Sequence, residues 1–356
     1  MKQKINSILI AVILIIPVSI HANDTIKLDL KPQVGFGNLP SGYGIISWQS
    51  MPSSNPWIST QIELSGIPDN WNNTVSKQLW FDAHQFAFQN YKQGKIKKDR
   101  FFGLIDSWSI DTLDNLSATP IDCFVYIIIG KDENDSIVYR VDSNHDFDFT
   151  DEATYYPTSL DNLNDSIVKD NCLWVSAEFQ NDNEIISQKI PLFIAKNNKG
   201  RVLYNYPQFY KTNLDKYRLN VTTKFSSLTF NSNTYLSLDS NDNAKLIQKG
   251  EYIIVGDITY KNLGADFRDM TLSLQKVTND SLLYSSQIGF LAKPFSGLVF
   301  NSDSTIKLDD LKGKFVFLDF WGSWCRPCIK ELDNIKFAYS KIDTDKIEFI
   351  GIANDR

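Results

Sequence analysis

The chain has 356 residues, 42% of them hydrophobic and 22% charged, with 36 Lys and Arg against 42 Asp and Glu for a net charge of −6. That length suits two or three domains, and the composition is that of a folded globular protein. The acidic balance argues against nucleic acid as a partner, because phosphate binding rests on clustered basic charge.

The first 22 residues read MKQKINSILIAVILIIPVSIHA. Lys2 and Lys4 precede an apolar run from Ile8 to Ile16, and Ala22 closes a cleavage-like site. This layout predicts a signal peptide, residues 1–22. The apolar run is short for a membrane span, and Pro17 interrupts it. No cysteine follows the cleavage point to mark a lipoprotein. The mature chain is expected to be periplasmic, without a transmembrane segment.

Residues 23–291 carry strand and turn signals. CFVYIIIG (Cys123–Gly130), the turn KDENDS and IVYRV (Ile137–Val141) form a hairpin pattern. LWVSAEF and EIISQKIPLFIA, around the polar QNDN, form another. YRLNVTTKFSSLTF alternates like a half-buried strand, and EYIIVGDITYKN reads as a further strand. KQLWFDAHQFAFQNYKQGKI is read as an amphipathic helix ending at Gly94. The expected architecture is a β-rich, sandwich-like N-terminal region, in one module or two with a break near residues 213–218.

Within it, VDSNHDFDFTDE places oxygens at Asp142, Asn144, Asp146 and Asp148. Alternate oxygens suit a calcium ion. Against an EF-hand, Phe147 stands where glycine would make the sharp turn, and the late acid comes one position early. The alternative is an acidic turn whose Asx side chains bond their own backbone. Cys123 and Cys172 lie on strand-like runs. In an oxidising compartment they are candidates for a structural disulfide, with two buried free thiols as the alternative.

Residues 292–356 change pattern. KFVFLDFW is a buried-strand run, Cys325 to about Lys341 has helical spacing, and KIEFIGIA is a second strand. Strand, helix and strand with short joins make a βαβ unit, hence a parallel pair. WCRPC puts Cys325 and Cys328 one helical turn apart, on one side. Such a pair cross-links nothing distant. Zinc would need two more ligands, and His84 and His145 are the only histidines outside the leader. A CxxC beside a βαβ unit reads as a redox pair. Cys325, at the helix N-terminus, is favoured as a thiolate and so attacks; Cys328 resolves.

Trp324 and Pro327 stand beside the substrate-facing thiol. Pro327 fits an early helical position, where its lost N–H costs little. Asp319, in the strand before the pair, is placed to take the Cys328 proton; the plain alternative is a carboxylate bonded to backbone or water. Glu331 either tunes the thiols or is an ordinary early-helix acid.

FVFLDFWGSWCRPCIKEL, with IKLDDLKGKFVFLDFW leading in, resembles the thioredoxin superfamily, specifically its TlpA/ResA-like extracytoplasmic disulfide reductases. The resemblance covers about Phe295 to Arg356. It implies that Cys325 attacks and Cys328 resolves, that Asp319 is the buried acid of thioredoxins, and that Glu331 is the acid of the CxxCxxE pattern. Leu332-Asp333 stands where a proline usually follows that acid. The partners implied are a protein disulfide and a thiol electron donor, with no cofactor required. The acidic loop also resembles a turn in β-rich regions that precede some TlpA-like domains.

A complete thioredoxin domain continues with another helix, a hairpin, a last helix and a cis-proline loop. This chain ends in GIANDR, so an incomplete thioredoxin-like domain and a weak oxidoreductase are expected. The fold class expected is multidomain, β-rich and then partial α/β. The functional expectation is an extracytoplasmic thiol–disulfide oxidoreductase. The alternative is a β-rich binding protein of the cell envelope with a vestigial thioredoxin unit. A peroxidase is disfavoured, because no lone peroxidatic cysteine stands in its usual setting.

Overall fold

The computed structural model describes residues 25–354 except 38, 40–41, 109–112, 114–115, 182–183, 224–233, 240–244, 267–268 and 278–281. The predicted leader lies outside the described residues. The chain forms two compact units, Met1–Asn279 and Asp280–Arg356.

The first unit holds two main cores. In one, strand Phe124–Lys131 pairs with Asn72–Trp80 on one side and Ile137–Val141 on the other, both antiparallel. Its Ile127, Ile128 and Ile129 are fully buried, as a β-branched run between two neighbours should be. The turn is closed by Asp132, whose carboxylate accepts the N–H groups of Asn134 and Ser136. Across the same core lies a second sheet. Its long strand Glu184–Lys196 pairs with Leu173–Asn181 and with Val202–Asn205. Val175, Ile190, Leu192 and Ile194 from this sheet pack with the three isoleucines. Both predicted hairpins are present.

The helix near residue 80 is shorter than its pattern suggested. Lys77–Trp80 belongs to the strand Asn72–Trp80, and helix Ala83–Lys92 starts only after Asp82. Asp82 caps it by accepting the Gln85 N–H at 3.0 Å. Gly94, at φ 72°, ends it. The apolar residues of Lys77–Trp80 fit either period, and cross-strand pairing with Phe124–Ile127 decided the outcome.

The other core is a two-sheet sandwich. Leu219, Val221 and Leu236 of one sheet face Ile253, Leu272 and Leu274 of the other. The N-terminal strands Thr25–Asp29 and Lys31–Val34 join these sheets, one each. Two expectations are corrected here. Residues 213–218 are no break, because Leu214 pairs with Tyr217 in a tight hairpin with Asp215 at φ 55°. The change of core comes just before it, between Tyr206 and Tyr210. EYIIVGDITYKN is two strands, Tyr252–Val255 and Ile258–Asp266, turned at Gly256.

The second unit contains the βαβ element. Strand Phe315–Trp321 runs parallel to Ile347–Ala353, and helix Arg326–Tyr339 joins them. The helix has no buried residue, and Phe315, Phe320 and Phe337 are largely exposed.

Candidate redox site

The strand Phe315–Trp321 delivers the chain to a tight turn, where the Cys325 N–H donates to the Gly322 carbonyl at 3.0 Å. Cys325 is then the N-cap of helix Arg326–Tyr339, with Pro327 in its first positions. Proline there loses no bond, because the first N–H groups of a helix have no intrahelical acceptor. The Cys325 sulfur accepts the Cys328 N–H at 3.3 Å. The two sulfurs are joined as a disulfide, with Cα atoms 5.3 Å apart. Both cysteines are half-buried, and Pro327 is exposed. The pair is therefore not enclosed. The Cys328 N–H on the sulfur and the macrodipole of the helix favour negative charge on Cys325 once the bond is reduced.

The neighbours divide. Trp324 lies 69% exposed and turns its indole N–H onto the Asn354 carbonyl at 2.9 Å. Asp319 sits in mid-strand opposite Gly351 and is half-buried, not enclosed. The expectation of a buried acid is corrected to this extent: its strand has one neighbour, and none of the strand's residues is fully covered. Glu331 is exposed and accepts a hydrogen bond from the Asn334 amide at 3.2 Å, so its carboxylate is engaged along the helix.

The other two cysteines form no bond, which corrects the expected structural disulfide. Cys123 is buried in the first core, and Cys172 packs against a separate cluster of Val168, Phe193 and Ala195. Burial holds both thiols protonated; it pushes the Cys172 thiol up to about 12 and Cys123 well above its usual value.

The acidic loop spends its oxygens on itself. Asp142 accepts the N–H groups of Asp146 and Phe147, Asp146 that of Asp148, and Asp148 that of Thr150. Asn144 donates to Asp146 and Asp151. These are the Asx bonds that the sequence left as the alternative to calcium. Among the described residues, no group of three or more His, Cys, Asp and Glu is arranged to hold a metal ion.

Sequence reasoning missed three partners. His145, at φ 67°, places Nε2 3.1 Å from Asp122 and ties the acidic loop to the first core. Gly322 and Asn354 both contact the Trp324 indole. Only Gly322 carried a signal, as a residue without a side chain between two tryptophans.

A family model described as "AhpC/TSA family" matches residues 288–356. Curated relatives named "Thiol-disulfide oxidoreductase ResA" match the same region. The one from Bacillus thuringiensis (strain Al Hakam) is 48% identical over 50 residues, 14% of this chain and 29% of that protein. The one from Bacillus subtilis (strain 168) is 45% identical over 47 residues, 13% and 26% respectively. The chain thus spans less than a third of the length of the curated relatives it matches. No solved structure matches it. Residues 288–356 form a thioredoxin-like domain of the AhpC/TSA type, and no helix among the described residues is long and apolar enough to cross a membrane.

Proposed function

We propose that the chain is an extracytoplasmic thiol–disulfide oxidoreductase working through Cys325 and Cys328, most simply as a reductant of protein disulfides. The observation that carries this reading is the disulfide at a helix N-terminus, with Cys325 as the cap and accessible from outside. Likeness to relatives named thiol-disulfide oxidoreductases supports it.

The reaction starts from the reduced pair. The Cys325 thiolate attacks one sulfur of a substrate disulfide and forms a mixed disulfide. The other substrate sulfur leaves as a thiolate and takes a proton. Cys328 then loses its proton, with Asp319 or water as acceptor, and attacks the Cys325 sulfur. The substrate's second sulfur leaves and is protonated. Two electrons have passed to the substrate, and Cys325–Cys328 is oxidised. A thiol donor returns the two electrons. Glu331 tunes the thiols through its negative charge, and the β-rich unit docks a partner. The leader-like residues 1–22 support an extracytoplasmic, periplasmic setting.

Insulin reduction with dithiothreitol as donor tests the reading. The wild type should speed insulin precipitation, and Cys325→Ser should match dithiothreitol alone. A wild type no faster than dithiothreitol, or an equally fast Cys325→Ser, would overturn it and favour a binding role for the β-rich unit. Calcium at Asp142, Asn144, Asp146 and Asp148 is a separate proposal. It expects the unfolding temperature to rise with calcium over chelator; equal temperatures would dismiss it.

A further inference from the structure

The Trp324 indole is tied down by a bond that spans the βαβ unit. Its Nε1–H donates to the carbonyl of Asn354, just past strand Ile347–Ala353, at 2.9 Å. The Asn354 N–H donates in turn to the Trp321 carbonyl at 2.9 Å. Between them lies Gly322, which is buried. A Cβ added there would stand 2.7 Å from Trp324 Nε1, 2.9 Å from its Cε2 and 3.0 Å from the Asn354 oxygen. Real Cβ atoms do not approach so closely, so the indole could not stay. Gly322 does not have positive φ. What the site needs from this glycine is space, not backbone freedom.

The tie reaches the reacting sulfur in three residues. The Gly322 carbonyl accepts the Cys325 N–H, and Cys325 caps the helix with its sulfur on the Cys328 N–H. The loop 322–325 is therefore fixed at one end by the strand, at the other by the helix, and across its middle by the indole. Trp324 as a whole stays 69% exposed, next in sequence to Cys325.

We propose that Trp324 is a positioning residue for exchange at Cys325, latched by Asn354 through the gap at Gly322, and that this latch sets the reactivity of the Cys325 sulfur. The inference rests on the reading of Cys325 as the attacking cysteine. With the latch closed, the sulfur is held at the helix N-terminus, where the Cys328 N–H and the helix dipole stabilise a thiolate. With it open, the loop samples other geometries and the thiolate loses part of that stabilisation.

The test is the pH profile of Cys325 alkylation by iodoacetamide in the reduced full chain, read by peptide mass so that Cys123 and Cys172 are followed separately. Trp324→Phe keeps an aromatic ring and removes the N–H; Gly322→Ala keeps the N–H and fills its space. Each should slow alkylation at neutral pH by about 3- to 10-fold, the factor one net hydrogen bond is worth, and move the midpoint upward. The double variant should be no slower than the stronger single variant, because both remove the same bond. Native circular dichroism and urea midpoints confirm that the variants fold; should Gly322→Ala not fold, Trp324→Phe decides alone. An unchanged profile in folded Trp324→Phe overturns the proposal, and so do additive effects in the double variant. Insulin reduction separates the two readings. Activity with unchanged alkylation in the variants sinks the latch and leaves the oxidoreductase. A latch response in a wild type that reduces nothing sinks the oxidoreductase and leaves the latch.

Discussion

Cys325 and Cys328 are linked twice: by their disulfide, and by a hydrogen bond from the Cys328 N–H to the Cys325 sulfur at 3.3 Å. Cys325 thus caps the helix and, in the proposed exchange, is also the attacking group. The two roles separate by substitution. Serine is a good N-cap and alanine a poor one. In the reduced protein, Cys325→Ser should keep the urea stability of the second unit, and Cys325→Ala should lose about 1 kcal/mol. Both should lose disulfide exchange entirely. Equal stability of the two variants would show that the sulfur does not cap.

The two free thiols, Cys123 buried and Cys172 partly buried, give a prediction with a definite sign in pH. Burial raises the Cys172 thiol from its ordinary 9.0 to about 12 in the fold. Between those values unfolding releases a proton, so stability contributed by the protonated thiol is complete below pH 9 and is lost as pH rises. Cys172→Ala should flatten the alkaline limb of a stability-versus-pH curve. In the native protein at pH 8, iodoacetamide should leave Cys123 and Cys172 unmodified and label both after unfolding. Rapid native labelling of either would contradict the burial described.

Gly66 sits at φ 69°, where a Cβ would run into Asp148 Oδ1 and the Thr150 N–H. The flanking Ser65 exchanges backbone bonds with Phe147 and Phe149. Gly66→Ala should cost about 1–3 kcal/mol through its left-handed backbone, with added cost from the contacts. The loss should appear in urea unfolding followed by the tryptophans of the first unit. A variant as stable as wild type would mean that the loop yields freely.

The first core should be the least forgiving part of the chain. Ile127 is fully buried, with sheet neighbours on both sides and the second sheet across from it. Ile127→Ala should cost about 2–5 kcal/mol, whereas Ile185→Ala, at a position 45% exposed, should change the urea midpoint little.

What the sequence made legible was local. Cys123–Gly130 read as a strand because a β-branched run has one comfortable conformation. WCRPC read as a pair at a helix start because proline and the following apolar spacing are local signals. What escaped it depended on distant partners. Lys77–Trp80 fitted a helix until Phe124–Ile127 paired with it. Cys123 and Cys172 looked like partners on two strands, but each stands just before its strand, Phe124–Lys131 or Leu173–Asn181, and packs into its own cluster. The alternating oxygens of Asp142–Asp148 suit a cation or their own backbone equally well, and only coordinates show which N–H groups they accept. Asn354 carried no signal, because it contributes a carbonyl that every residue has.

The most direct measurement is capture of the mixed disulfide. Reduced Cys328→Ser is mixed with a peptide containing a disulfide, quenched with acid, digested and weighed. The expected result is one peptide half bound covalently at Cys325, with Cys123 and Cys172 free. No adduct, or an adduct on Cys123 or Cys172 instead, would contradict the assignment of Cys325 as the attacking thiol.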